Sequence, residues 1–363
     1  MNKTLKSFLR WEWLLVLLTI LVFGFFSFMD PKAYTLPKLM NQTRVYMVDV
    51  GFMALGALLI LLLGDIDISV ASTAGLAATI MGIVYNGGNG KSFLFALAAA
   101  LLVGIVCGLI NGLLVTRFKE LFPMIITLST QTIYRGINYI ILKDTSTGSF
   151  PSWFGNIGYD QINKFFPKET PNWVLAGGTP LEVAYEFVGS IPIMLLCLLV
   201  VFPFFFIWIH KTPHGHRIFA TGQNIVTARY SGIRTDRIKV LLFTLNGLLA
   251  AIGGIFLAAR TGSVKYTHAT GFEMQAIAVA VLGGASTAGG RGSVVGILLS
   301  LILMTCLKNG LNIVYNDSFI MNLAVGALLI VVVLLPNIVQ YITDYNNVLK
   351  RRRQALTRLS AKQ

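Results

Sequence analysis

Gly64-Asp65-Ile66-Asp67-Ile68-Ser69-Val70-Ala71-Ser72-Thr73-Ala74-Gly75, residues 64–75, sets two carboxylates between two of the most apolar stretches of the chain. Upstream, Val45 to Leu63 holds a single acid, Asp49; downstream, an apolar run continues from Ile68 to Asn86. A bilayer core accommodates about 20 apolar residues as a helix. Gly64 to Asp67 is then the whole connection between two predicted spans, which makes a tight antiparallel helix hairpin. Asp67 stands where an N-cap belongs, with Ser69, Ser72 and Thr73 after it, so its carboxylate is expected to accept orphan amides of the following helix. Capping gives Asp65 no comparable task. Asp65, Asp67 and Ser69 are expected to form a structural or gating corner.

The rest of the chain fits this reading. It has 363 residues, 55% hydrophobic and 12% charged, against about 25% charged in a soluble domain. Ten apolar runs predict ten membrane helices, at 11–29, 45–63, 68–86, 93–115, 122–142, 188–209, 238–259, 273–288, 293–313 and 318–335. The fold class expected is all-α, a polytopic membrane bundle. The first run follows Lys3, Lys6 and Arg10 and is longer than a signal-peptide core, so it reads as a retained helix. Lys and Arg concentrate in one alternate set of connections, which predicts both termini in the cytoplasm. Most of the net charge of +14 then faces the inner leaflet. The basic tail 344–363, with Lys350, Arg351, Arg352 and Arg353, is expected to lie against anionic membrane lipid, and no nucleic-acid role is needed. Residues 1–343 read as one transmembrane domain, with a long outer loop at 143–187 and a long cytoplasmic loop at 211–239. Asn111-Gly112-Leu113 and Asn309-Gly310-Leu311 end the fourth and ninth runs, five spans apart, as an inverted-topology repeat requires. Gly104 with Gly108, Gly247 with Gly253 and Gly254, and Gly292 with Gly296 mark close helix approaches.

Several chemistries are set aside. Asn86 to Ser92 looks like a phosphate-binding loop, but Tyr85 occupies the position of its first glycine and an apolar helix precedes it. His210, His214 and His216 lack accompanying carboxylates or cysteines, so no metal site is expected. Cys107, Cys197 and Cys306 all lie inside apolar runs and read as packing residues. No catalytic residue and no cofactor is assigned. In the fifth run Thr127, Thr130, Gln131, Tyr134 and Asn138 fall on one helical face. Such a stripe must face protein or water, and a lining for a polar, uncharged solute is the reading preferred over helix–helix bonding. Asn246 and Glu273 join it as pathway candidates. Asp49 and Glu273 are the main intramembrane ions, each costing at least about 2.5–3.5 kcal/mol at mid-bilayer.

Five ordered segments resemble the permease subunits of ATP-binding-cassette importers for monosaccharides, the ribose, arabinose, xylose, rhamnose and autoinducer type. They are Gly64 to Ser69; Pro123, Thr127, Leu128, Thr130, Ile133, Tyr134, Arg135 and Gly136; Thr212, Pro213, Gly215, Ala220, Gly222 and Asn224, then Ala228 to Ile233; Gly271-Phe272-Glu273; and Gly283-Gly284 with Gly289 to Gly292 and Asn309 to Leu311. The resemblance implies a type II importer permease that moves a monosaccharide or related furanose inward and works with a second permease, like or unlike, a cytoplasmic ATPase and an extracytoplasmic sugar-binding protein in the bacterial cell membrane. It also implies a coupling helix near 224–232, where Asn224, Ala228, Arg229, Ser231 and Gly232 would meet the ATPase. Asp65, Ser129, Gln275, Val226 and Thr227 depart from the family's usual residues. The alternatives are a branched-chain amino-acid permease, a membrane enzyme using the histidines, and a secondary symporter.

Overall fold

In the computed structural model the described residues are 11–86, 92–165 and 187–315, with a few positions between 320 and 330. The chain divides into two compact units, Met1–Val314 and Tyr315–Gln363. In the second, helical backbone recurs between 320 and 330. In the first, the described regular elements are helices joined by turns and loops, with isolated bridges at Thr147–Val264 and Gln161–Pro192. Its helices are α1 Trp11–Met29, α2 Leu36–Leu62, α3 Val70–Asn86, α4 Phe93–Arg117, α5 Pro123–Leu142, α6 Ser152–Tyr159, α7 Ile193–Lys211, α8 Pro213–Gln223, α9 Ile225–Tyr230, α10 Thr235–Thr261, α11 Phe272–Leu282 and α12 Val294–Tyr315. Among the described residues, α1, α2, α4, α7, α10 and α12 are long and apolar enough to cross a membrane.

Hydropathy is similar in these helices, but their positions differ. The most apolar stretch of α2 is 89% buried, that of α1 only 11%. A helix that is apolar all round is stable either at the centre of a bundle or against lipid, and the fold uses both. From Asp49 to Leu62 every residue of α2 is buried. Around it stand α10, which also packs on α3, α4 and α6, and the short α11. On α1, Leu17, Ile20 and Phe28 face outward.

Glycine sets the closest approaches. The backbones of α4 and α10 meet at Gly104, Gly108 and Gly247, where an added Cβ would overlap the facing carbonyls. Gly254 on α10 meets the backbone of Ala74 on α3 in the same way, and Gly296 on α12 meets Gly283. These are the small-residue positions expected from spacing.

Two predicted bounds change markedly. The second span begins at Leu36 rather than at 45, because Pro37 occupies the first turn, where a proline is favourable, and a π-helical segment, Arg44–Val48, carries the helix on. The eighth span, expected over 273–288, ends at Leu282. Gly284, Gly289 and Gly290 have φ of 89°, 85° and 69°, a backbone region that glycine enters freely and an α-helix does not use. Residues 283–293 are therefore a connection. Within 211–239 the helix α8 has no counterpart in the sequence reading; Thr212 caps it and Pro213 opens it. Within 143–187 the described residues form α6 and a 3-10 turn, Ile162–Phe165. The glycine-rich segment at 87–91, residues 166–186, most of the tenth predicted span and the basic tail lie outside the described residues.

The close approaches give a first prediction. Gly247→Val should abolish folded protein, read by size-exclusion chromatography of a fluorescent fusion. Gly136, on α5, has nothing within 4 Å of an added Cβ. Gly136→Ala should therefore stabilise by about 0.5–1 kcal/mol through helix propensity.

Candidate functional site

The turn after α2 is made by Leu63 and Gly64, whose φ is 80°. Ser69 then precedes α3, and the Thr73 amide bonds to its carbonyl. Asp67 Oδ1 accepts from the Ser69 amide at 2.8 Å and from the Ser69 hydroxyl at 2.7 Å. Its other oxygen, Oδ2, accepts from Asn246 Nδ2 of α10 at 2.7 Å. Asp67 thus takes one amide just ahead of α3 and spends its second oxygen on a distant helix. The network continues through Ser69 Oγ, which accepts from Asn111 Nδ2 of α4 at 2.7 Å. The Tyr134 hydroxyl of α5 lies 3.4 Å from Asn111 Oδ1 and 3.2 Å from the Cys107 carbonyl. Thr127, at the start of α5, accepts from the Ile68 amide and faces the Ile66 carbonyl, both at 3.2 Å. One short connection therefore holds α3, α4, α5 and α10 by polar bonds.

All five residues of the α5 stripe are buried, Thr127, Thr130, Gln131, Tyr134 and Asn138. The stripe faces protein. Thr130 donates to the Thr127 carbonyl, and Gln131 Nε2 donates to Glu273 Oε1 at 3.0 Å. Arg135 reaches the same oxygen at 2.8 Å, and Glu273 Oε2 accepts the Gly271 amide at the head of α11. Some buried atoms have no partner among the described residues: Thr79 Oγ1 on α3, Asn138 Oδ1, Asn246 Oδ1 and His268 Nε2. Asn138 and the His268 backbone both lie against Gly75, one helical turn from Thr79. Buried polar groups without partners are uncommon and mark places where other chemistry can enter.

Each buried carboxylate has found a cation or a set of donors. Asp65 pairs with Lys239 of α10 at 2.7 Å. Asp49, fully buried, holds Arg260 through two nitrogens at 2.6–3.2 Å. Lys308 on α12 donates to Gln275 and lies over the Tyr46 ring at 5.5 Å. Burial pushes the Asp65 carboxyl above the ordinary carboxylate range, with Lys239 pulling it back. Burial acts likewise on Asp67, opposed by the bonds from Ser69 and Asn246. In sequence Lys239 and Arg260 counted only as loop charges that set orientation. In the fold both turn back to neutralise acids.

The hairpin abuts the loop 211–239. A Cβ on Gly222, at the end of α8, would overlap the Leu62 carbonyl oxygen, which already accepts the Gly290 amide at 2.9 Å. Gly289 sits against Gly222 and Gly64. Immediately after Gly222 comes α9, capped by Asn224, whose Oδ1 accepts the Val226 and Thr227 amides, both at 3.0 Å. Ala228 is buried, while Val226 and Tyr230 are 57% and 90% exposed. Arg229 bonds to Thr235 and Asp236, and Lys119 joins Asp236 at 2.7 Å. Ser231 donates to the Thr227 carbonyl, and Gly232 turns the chain with φ 80°. The three histidines do not converge: His210 accepts the Val294 amide at 3.4 Å and His216 Nδ1 lies 2.9 Å from the Thr212 carbonyl. Among the described residues no group of three His, Cys, Asp or Glu could hold a metal ion.

Glycine-packed helices around a buried polar hairpin, with a short capped helix on the basic side, describe a multi-pass membrane permease. The chain belongs to the family described as branched-chain amino acid transport system / permease component, which it matches over residues 39–334. It is 32% identical over 323 residues to the autoinducer 2 import system permease protein LsrD of Yersinia enterocolitica, covering 89% of this chain and 90% of the relative. The LsrD proteins of Escherichia coli K12 and Shigella flexneri are each 31% identical over 330 residues, 90% of this chain and 92% of theirs. No solved structure gives a significant match.

The Asp65–Lys239 pair yields a second prediction. Lys239→Met leaves a buried carboxylate unpaired and should cost about 3–5 kcal/mol in thermal or denaturant unfolding, with Asp65→Asn in the same chain restoring much of the loss. Lys119→Met breaks an exposed pair and should cost at most about 1 kcal/mol.

Proposed function

We propose that this chain is the membrane-spanning subunit of an ATP-binding-cassette importer that carries a monosaccharide, or a small furanose of the autoinducer 2 kind, into a bacterial cell. The autoinducer 2 import function of the LsrD relatives supports the substrate class. The observation that carries the mechanism is the continuity of polar and backbone contacts from α9 through Gly222, Leu62 and Gly290 to the Asp67 hairpin, and from there to α5.

In this reading residues 1–343 form one permease domain in the cell membrane with both termini inside, and 344–363 is a basic tail on the inner leaflet. The subunit pairs with a second permease, like or unlike. An extracytoplasmic binding protein delivers the sugar. A separate cytoplasmic ATPase hydrolyses ATP and docks on α9, through the exposed Val226 and Tyr230 and through Asn224, Arg229, Ser231 and Gly232, while Ala228 seats the helix. Motion of α9 is passed to Leu62 by backbone contact, which no side-chain rotation can absorb. Asp65, Asp67 and Ser69 act as the gating corner. When that corner moves, Thr127, Thr130, Gln131, Tyr134, Asn138, Asn246 and Glu273 exchange protein partners for sugar hydroxyls. The unpaired oxygens of Asn138 and Asn246 supply acceptors, with hydroxyl and amide chemistry suited to an uncharged polyol. No acid–histidine relay runs along the stripe, so no coupled proton is required.

Three measurements test this. Thr130→Leu, Gln131→Leu and Tyr134→Leu should each reduce uptake of labelled sugar in cells with the permease at normal membrane levels; unchanged uptake removes the stripe from the path. Excess sugar, and not leucine, should compete. Gly222→Ala should abolish uptake while leaving the ATPase bound and hydrolysing. Normal uptake in this variant would remove the backbone link from the mechanism.

A further inference from the structure

A cleft of about 440 Å³ opens beside α9, between the basic end of α7 and the first turns of α10. Arg217, Arg234, Arg237 and His214 line it, and no Asp or Glu does. The three guanidinium groups make no hydrogen bond or ion pair with any described residue, whereas Arg135, Arg229 and Arg260 on the same chain are all engaged. Under this rim the wall is apolar: Trp208, Ile218, Ile238, Leu241 and Leu242. Leu242 and Ile218 are buried, and Leu241 is half exposed on the outer face of a membrane span. On α7 the same outer face continues away from the cleft through Ile207, Phe204 and Val200, all exposed and all apolar.

A cationic mouth on an apolar slot that runs onto a lipid-facing helix surface matches a molecule that is anionic at one end and hydrocarbon along the rest. An acidic peptide would satisfy the arginines and leave the slot and the α7 face unused. Free phosphate would use the arginines alone. We propose that the cleft binds an inner-leaflet phospholipid with an anionic headgroup, its phosphate held by Arg217, Arg234 and Arg237 and its acyl chains along Trp208, Leu241 and the outer face of α7. Basic pockets at the cytoplasmic ends of membrane helices suit such headgroups, and arginine suits phosphate better than lysine because its fork of donors is preorganised. The residues that line this site lie between 208 and 242 and do not include the basic residues of the tail. Its ligand would brace Ser231 to Arg234, the segment joining α9 to α10, so the lipid would tune coupling to the ATPase. That consequence rests on the reading of α9 given above, whereas the binding does not.

The test uses the full chain, purified and delipidated in detergent, with phosphatidylglycerol and phosphatidylcholine as probes in native mass spectrometry. The wild type should retain one phosphatidylglycerol in preference to phosphatidylcholine. The combined variant Arg217→Gln/Arg234→Gln/Arg237→Gln should bind it more weakly by on the order of a hundredfold, from the loss of three surface-proximal cations. Lys350→Gln/Arg351→Gln/Arg352→Gln/Arg353→Gln, in the tail, should leave that single high-affinity lipid in place. If the triple variant does not fold, photoactivatable phosphatidylglycerol added to the wild type gives the second readout, with crosslinks expected in peptides 200–218 and 231–242. Equal retention by the triple variant, loss only in the tail variant, or crosslinks elsewhere would overturn the site. So would protection of the cleft by inorganic phosphate as effective as that by the lipid, or an ATPase crosslink to Arg237→p-benzoylphenylalanine in the assembled transporter in place of the lipid. None of these readouts depends on sugar uptake, so failure of the transport reading and failure of this one are distinguishable.

Discussion

Inside hydrocarbon a polar group has no water to fall back on, and every carboxylate placed there must find its donors within the protein. The described fold is organised by that constraint. Asp67 is bound by Ser69 and Asn246, Asp65 by Lys239, Asp49 by Arg260, and Glu273 by Arg135 and Gln131. Apart from the Ser69 bond, each of these crosses between elements far apart in sequence. A buried ion pair is poor at adding net stability, but breaking one is costly. The acids therefore fix which helices are neighbours more than they strengthen the bundle.

The second ordering principle is the absence of side chains. Where α4 meets α10, α10 meets α3, and α8 meets the end of α2, the contact is backbone on backbone at glycine. Such a junction is stiff, because no rotamer change can take up a displacement. In the proposed mechanism the stiff contacts at the Asp65–Asp67 corner transmit movement, and the hydrogen-bonded contacts on α5 are the ones that exchange partners. Among the buried polar atoms without a partner in the described residues, four belong to α3, α5, α10 and the loop before α11.

Much of this was readable in the chain. The long apolar runs give the spanning helices, because backbone groups in lipid leave no alternative to a helix. The recurrence of glycine at helix spacing gave the contacts of α4, α10 and α12. The 3.6-residue repeat of Thr127 to Asn138 placed one polar face on α5, and the family resemblance implied a short helix near 224–232, where α9 lies. Less legible were the ends of elements set by glycine conformation, as at Leu282, and the helix α8, whose mixed composition lacks a strong period. Least legible were the partners. Lys239 and Arg260 look in sequence like ordinary charges near span ends, Arg135 like one member of a family motif, and Asn111 like one half of a repeat marker.

Sequence alone determined that the chain is a helical membrane bundle, where its polar face lies and which family's motifs it carries, because those features are local in the chain. Only the tertiary structure decided which apolar helix is central and which meets lipid, since α1 and α2 are alike in hydropathy and differ only in their neighbours. It alone also decided that both oxygens of Asp67 serve different helices and that three arginines converge on one cleft. Those outcomes depend on distances between residues up to 179 positions apart, and no periodicity along the chain encodes them.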